Sequence, residues 1–87
     1  MLFMCIGTSE PEKRAEFVKR GAEKGPMTPD GVNVIGQWGA LATGKVFGVV
    51  ETDDPMKLFQ LSDAWSDIIK MEIIPVINVQ DLLNTLK

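Results

Sequence analysis

The chain contains no histidine. That removes imidazole acid–base catalysis, a histidine-ligated haem, and every zinc site built from histidine and cysteine clusters. It contains one cysteine, Cys5, so no intrachain disulfide can form. A lone cysteine in an apolar strand reads as a small buried hydrophobe rather than a nucleophile. Basic excess is missing too: nine Lys and Arg against twelve Asp and Glu leave a net charge of −3 and a pI near 4.8. A phosphate-binding face needs a basic patch, so neither nucleic acid nor an anionic membrane is an expected partner. No apolar run approaches the roughly 20 residues of a membrane span. Met1 leads into an apolar segment without the basic region or small-residue cleavage site of a secretory leader. The expectation is a soluble, cytoplasmic protein. There is no internal repeat and no low-complexity tract. At 87 residues the chain reads as one domain spanning 1–87.

What is present is a chain 45% apolar and 24% charged, the balance of a folded protein. A domain this small buries only roughly 60–65% of the surface its unfolded chain exposes, so a second copy would add to a modest core. Lys70 to Val79 is the densest β-branched run and predicts a strand. Both of its faces are apolar at the centre, and Pro75 cannot donate to a ladder, so it belongs at a sheet edge under a cover. Leu2 to Gly7 is nearly continuous in apolar residues and predicts a central strand. Ser9 with Glu12 and Pro11 predicts a capped helix to about Lys24, with Ala15, Val18 and Ala22 as its apolar stripe and Phe17 and Gly21 on the flank. Val32 to Leu41, interrupted by Gly36 and Gly39, predicts a strand with a bulge. A turn at Ala42-Thr43-Gly44 leads to a third strand, Lys45 to Thr52. Asp53-Asp54-Pro55 opens a second helix carrying Leu58, Leu61, Trp65, Ile68 and Ile69 at helical spacing. Val79, Leu82, Leu83 and Leu86 give the tail from Gln80 to Lys87 a short amphipathic helix, too short to stand undocked.

The order is β-α-β-β-α-β plus a terminal helix. This is the α+β, ferredoxin-like pattern, with an antiparallel sheet in the order 4-1-3-2. Both helices then cover one face of the sheet and leave the other open. Simple alternation puts Leu2, Met4, Ile6, Val32, Val34, Val46, Val50, Ile73 and Ile77 under the helices. It puts Phe3, Cys5, Ile35, Gln37, Phe47, Val49, Glu51, Glu72, Ile74 and Val76 on the open face. That face is too apolar for water. It fits the rimmed interface of a homodimer, or the wall of a cavity for a small apolar molecule.

The candidate ligand-binding residues are Phe3, Cys5, Gln37, Trp38, Phe47 and Ile74, and the catalytic candidates are Glu51 and Glu72. A carboxylate in a closed cavity has a raised pKa and can exchange protons. Near strand ends the same residues are simply solvated. Trp38 and Trp65 fit core or interface positions better than stacking platforms. Asp63 and Asp67 lie one helical turn apart without a third ligand, so no metal is expected. Thr43-Gly44-Lys45 lacks the spacing and the strand–helix context of a phosphate loop. No cofactor is implied.

Leu2-Phe3-Met4-Cys5-Ile6, Gly36-Gln37-Trp38, and Ala64-Trp65-Ser66-Asp67 followed by Glu72-Ile73-Ile74-Pro75-Val76 are similar in order and spacing to a small domain-of-unknown-function family. That family belongs to the dimeric α/β-barrel superfamily. The resemblance covers nearly the whole chain and implies a protomer whose open face packs on a twin to close an eight-stranded barrel. The family's second strand often reads Gly-Glu-Trp-His. Here Gly36-Gln37-Trp38-Gly39 lacks the acid and the imidazole, which puts any chemistry they carry in doubt. The superfamily holds cofactor-independent monooxygenases, haem-degrading enzymes, isomerases and stress-responsive proteins, so fold does not select among them. Two functional expectations follow. One is a homodimer that binds a small apolar molecule. The other is a cofactor-free monooxygenase- or isomerase-like enzyme with Glu51 or Glu72 as base and Gln37 or Trp38 as donor. An RNA-binding module of the same fold is disfavoured by one aromatic in the third strand and by the acidic charge.

Overall fold

Strand β1 (Leu2–Ser9) lies inside a four-stranded antiparallel sheet ordered β2-β3-β1-β4, in a computed structural model that describes residues 1–86. β2 spans Asn33–Gly39, β3 spans Lys45–Glu51 and β4 spans Ile69–Val76. The helices are α1 (Arg14–Lys24), α2 (Met56–Trp65) and α3 (Val79–Thr85), and a single 3-10 turn, Pro11–Lys13, precedes α1. This is the expected ferredoxin-like topology. Pro75 sits in an edge strand, opposite Phe3, where its missing N–H costs no ladder bond on the outer side.

Pairing across the sheet assigns the faces, because directly opposed residues project the same way. Phe3, Val50 and Pro75 share one row, and Cys5, Gly48 and Ile73 the next. Phe3, Cys5 and Val50 are buried with Leu58, Leu61, Trp65, Ile68 and Ile69, so this is the face under the helices. Leu2, Met4 and Ile6, in register with Glu51 and Val76, Val49 and Ile74, and Phe47 and Glu72, form the open face. The expected face of β1 is therefore reversed. Both of its phases are apolar, so alternation alone could not choose. Packing decides at Gly7, where an added Cβ would lie 2.9 Å from Ile69 Cγ2 and 3.0 Å from Val46 Cγ2. Only a residue without a side chain fits beneath those two.

β2 carries the bulge its glycines announced. Val34 pairs with Val50 and Gly36 with Val49, so Ile35 is the extra residue. The bulge inverts alternation downstream: Gln37, opposite Gly48, turns to the helix face, and Trp38, opposite Phe47, to the open face. Gln37 thus lies on the helix face and not on the open face that unbroken alternation predicts. Ile77 lies beyond β4 and is 55% exposed rather than under a helix.

α2 buries Leu58, Leu61 and Trp65, as their spacing requires, but ends at Trp65: Ile68 lies beyond it and Ile69 opens β4, so these two buried residues do not belong to the helix that their spacing predicts. Its start is held by the Asp54 carboxylate, which accepts from the Met56 amide at 3.1 Å. α1 differs from expectation at both ends of the argument. Ser9 belongs to β1, and its hydroxyl donates to the Gly44 carbonyl at 3.1 Å instead of capping a helix. Val18 is 66% exposed, and Ala15 and Ala22 are exposed as well. The inward side is Phe17, Arg20 and Gly21, and no residue of α1 is fully buried. Gly25, at φ 64°, ends the helix.

α3 begins at Asn78, whose side chain accepts from the Gln80 amide at 2.8 Å. None of its residues is buried; Val79, Leu82, Leu83 and Leu86 range from 43% to 75% exposed. The expected tail helix is present without a docking surface on its own protomer. Lys87 lies outside the described residues. The radius of gyration is 14.1 Å, against about 12 Å for a compact domain of this length. The accessible surface is 6080 Å², against about 5,100 Å² for a folded monomer of this mass.

Candidate functional site

Because α1 stands off the sheet, a cleft of about 380 Å³ opens between them. Its floor is Val46, Gly48 and Val50 of β3 with Val34, Gln37 and Gly39 of β2. Phe17 and Gly21 of α1 and the Gly25, Pro26 and Thr28 segment form the roof. Cys5, Leu61, Trp65, Ile69 and Met71 close the inner end. The size suits a small molecule, and the lining is apolar with few polar groups.

Glycines line both sides of the space. Gly21 is inside an 11-residue helix, where glycine costs about 1 kcal/mol relative to alanine. No neighbour demands it: an added Cβ there meets nothing within 4 Å. Across the cleft, an added Cβ at Gly48 would sit 3.9 Å from Gln37 Cγ. The Gln37 stem therefore crosses the bare backbone of β3.

The roof is pinned at one end. Arg20 makes two 2.7 Å hydrogen bonds to the Asp67 carboxylate just beyond α2, the fork geometry that arginine favours. Lys13 Nζ donates to the Asp67 carbonyl at 2.8 Å. The Arg20 guanidinium lies 5.7 Å from the Trp65 ring centroid, and Phe17 meets the same ring edge-on at 5.4 Å. Trp65 Nε1 donates to the Pro26 carbonyl at 2.9 Å, so the indole is part of the wall. The hydrogen bonds from Arg20 hold the Asp67 carboxyl down at about 2 and raise the guanidinium pKa further.

No charged side chain lines the cleft among the described residues. Its polar groups are the Cys5 thiol, the Thr28 hydroxyl and the Gln37 amide. Burial pushes the Cys5 thiol pKa up, so at neutral pH it is a protonated thiol with little nucleophilic character.

The sequence candidates divide. Cys5 and Gln37 line the cleft. Trp38 and Phe47 border it, although strand pairing places their side chains on the opposite face. Phe3 is 5% exposed in the core, not on the open face. Ile74 is on the open face, as are Glu51 and Glu72, both exposed. No residue set brings those two carboxylates to Cys5 or Gln37. Phe17 and Gly21 read in the sequence only as the flank of the first helix's stripe, and Thr28 only as part of a turn, so none of the three marks a cleft there. Gly21 carried a signal: a glycine inside an otherwise regular helix. Asp63 and Asp67 make no metal cluster; Asp67 is engaged by Arg20.

Among solved structures, a candidate antibiotic biosynthesis monooxygenase from Deinococcus radiodurans is similar, with a TM-score of 0.53 and 14% identity. The alignment covers 90% of this chain and 94% of that one. At that identity the likeness establishes a shared ferredoxin-like fold. No curated protein matches the chain. Residues 1–87 match the family described as domain of unknown function DUF3303, and the protein belongs to that family.

Proposed function

We propose that this protein is a homodimer that binds a small, uncharged, apolar molecule in the cleft between α1 and the sheet. The observation that carries the reading is the cleft itself: about 380 Å³, apolar, without a charged side chain, and roofed at one point by a helix-interior glycine that no neighbour requires. Desolvating an ionised ligand there would find no compensating charge. A neutral ring with one hydrogen-bonding group matches the Gln37 amide and the aromatic edges of Phe17 and Trp65. The dimer is supported by the apolar open face of Leu2, Met4, Ile6, Phe47, Val49, Ile74 and Val76, which has no helix over it.

The enzyme alternative needs a base beside the substrate. Glu51 and Glu72 project from the other side of the sheet, so neither can serve a molecule held in this cleft. That geometry favours binding over catalysis.

A thermal-shift screen of small neutral aromatics, with charged analogues as controls, tests the reading. A ligand at ten times its Kd stabilises by about 1.4 kcal/mol, a rise of roughly 6–11 °C in Tm for a domain this size. The shift is expected for neutral compounds and lost in Gly21→Leu, which fills the cleft from the roof. No shift from any compound, or an undiminished shift in Gly21→Leu, removes the cleft as the site.

A further inference from the structure

We infer that α3 is an exchange arm that docks on the second copy of the chain. The helix carries Val79, Leu82, Leu83 and Leu86 at the spacing of one apolar stripe, yet none of its residues is buried. Seven residues are too few for a helix to persist in water on propensity alone. Its stability has to come from a surface, and its own protomer supplies none.

The surplus area matches a second copy in size. The protomer exposes 6080 Å², about 1,000 Å² more than a folded monomer of its mass. A stable interface buries about 800 Å² per partner. The excess of one copy is more than one side of a dimer needs, and the uncovered sheet face and α3 contribute to it together with the cleft under α1. Reach agrees. The chain leaves β4 at Val76, an open-face residue paired with Leu2. A second sheet stacked on that face lies about 10 Å away, and the seven residues of α3 are about 10 Å long. The arm spans the gap and laps onto the partner. This inference rests on the dimer in the reading above and adds which element crosses over.

The test is isotope-filtered NMR on a dimer mixed from labelled and unlabelled full-length chains. Contacts between methyls of Leu82, Leu83 or Leu86 and the other copy are expected. Contacts confined to the same chain, or no contacts in a chain that is dimeric, overturn the arm and leave the sheet interface standing. A chain that is monomeric at millimolar concentration overturns both. As a second measurement, the double variant Leu82→Asp, Leu86→Asp changes only exposed positions and leaves the protomer folded. The dimer Kd is expected to rise at least tenfold; an unchanged Kd speaks against the arm.

Discussion

Asp67 is the residue on which the roof of the cleft hangs. Its carboxylate takes both hydrogen bonds of the Arg20 fork, and its carbonyl takes one from Lys13. The consequence is a pH dependence with a definite sign. The folded carboxyl titrates at about 2 instead of its ordinary 3.8. The unfolded chain therefore binds the proton first as pH falls, and the stabilisation is complete above pH 4 and lost between pH 4 and about 2. Urea midpoints are expected to drop across that window. In Asp67→Asn the drop is expected to be smaller and the midpoint at pH 7 lower. A wild-type-like acid profile in the variant would show that other carboxylates govern it.

The elements show how glycine is used for opposite ends. At Gly7 the absence of a side chain makes room for neighbours; at Gly21 it makes room for nothing the protomer contains. Alanine should separate the two. Gly21→Ala is expected to stabilise by about 0.5–1 kcal/mol, through helix propensity and a less free unfolded chain. Gly7→Ala is expected to destabilise by about 1–3 kcal/mol, because Val46 and Ile69 must shift in a packed layer. Denaturant midpoints at constant m-value read both. A loss of stability in Gly21→Ala would mean that α1 lies closer to the sheet than the open cleft allows.

For the whole molecule, the proposed dimer is tested at the one apolar sheet face without a helix over it. Ile74 is 38% exposed on that face, in the edge strand β4 beside Met4, so Ile74→Asp costs the isolated protomer little. In a dimer it places an unpaired charge in a dry interface. Light scattering after gel filtration is expected to show monomer at concentrations where the parent chain is dimeric, with Kd raised at least a hundredfold. An undisturbed dimer would move the interface to another surface. No described helix is long and apolar enough to cross a membrane.

The sequence by itself determined the element order, the central place of Leu2–Gly7, the edge place of Pro75 and the inward stripe of α2. Each rests on a local signal: a continuous apolar run, a missing amide, a 3.6-residue period. It also determined what the site could not be, since no fold supplies a histidine or a second cysteine. The tertiary structure alone decided which phase of β1 faces the helices, because Phe3 and Cys5 are as apolar as Leu2, Met4 and Ile6, and only the space around Gly7 distinguishes them. It alone decided that Gln37 enters the cleft, since one extra residue at Ile35 reverses every side chain after it. And it moved the candidate site from the open face to the space beneath α1. The helix that roofs that space is tied through Arg20 to Asp67, 47 residues away in sequence, a contact that no local pattern encodes.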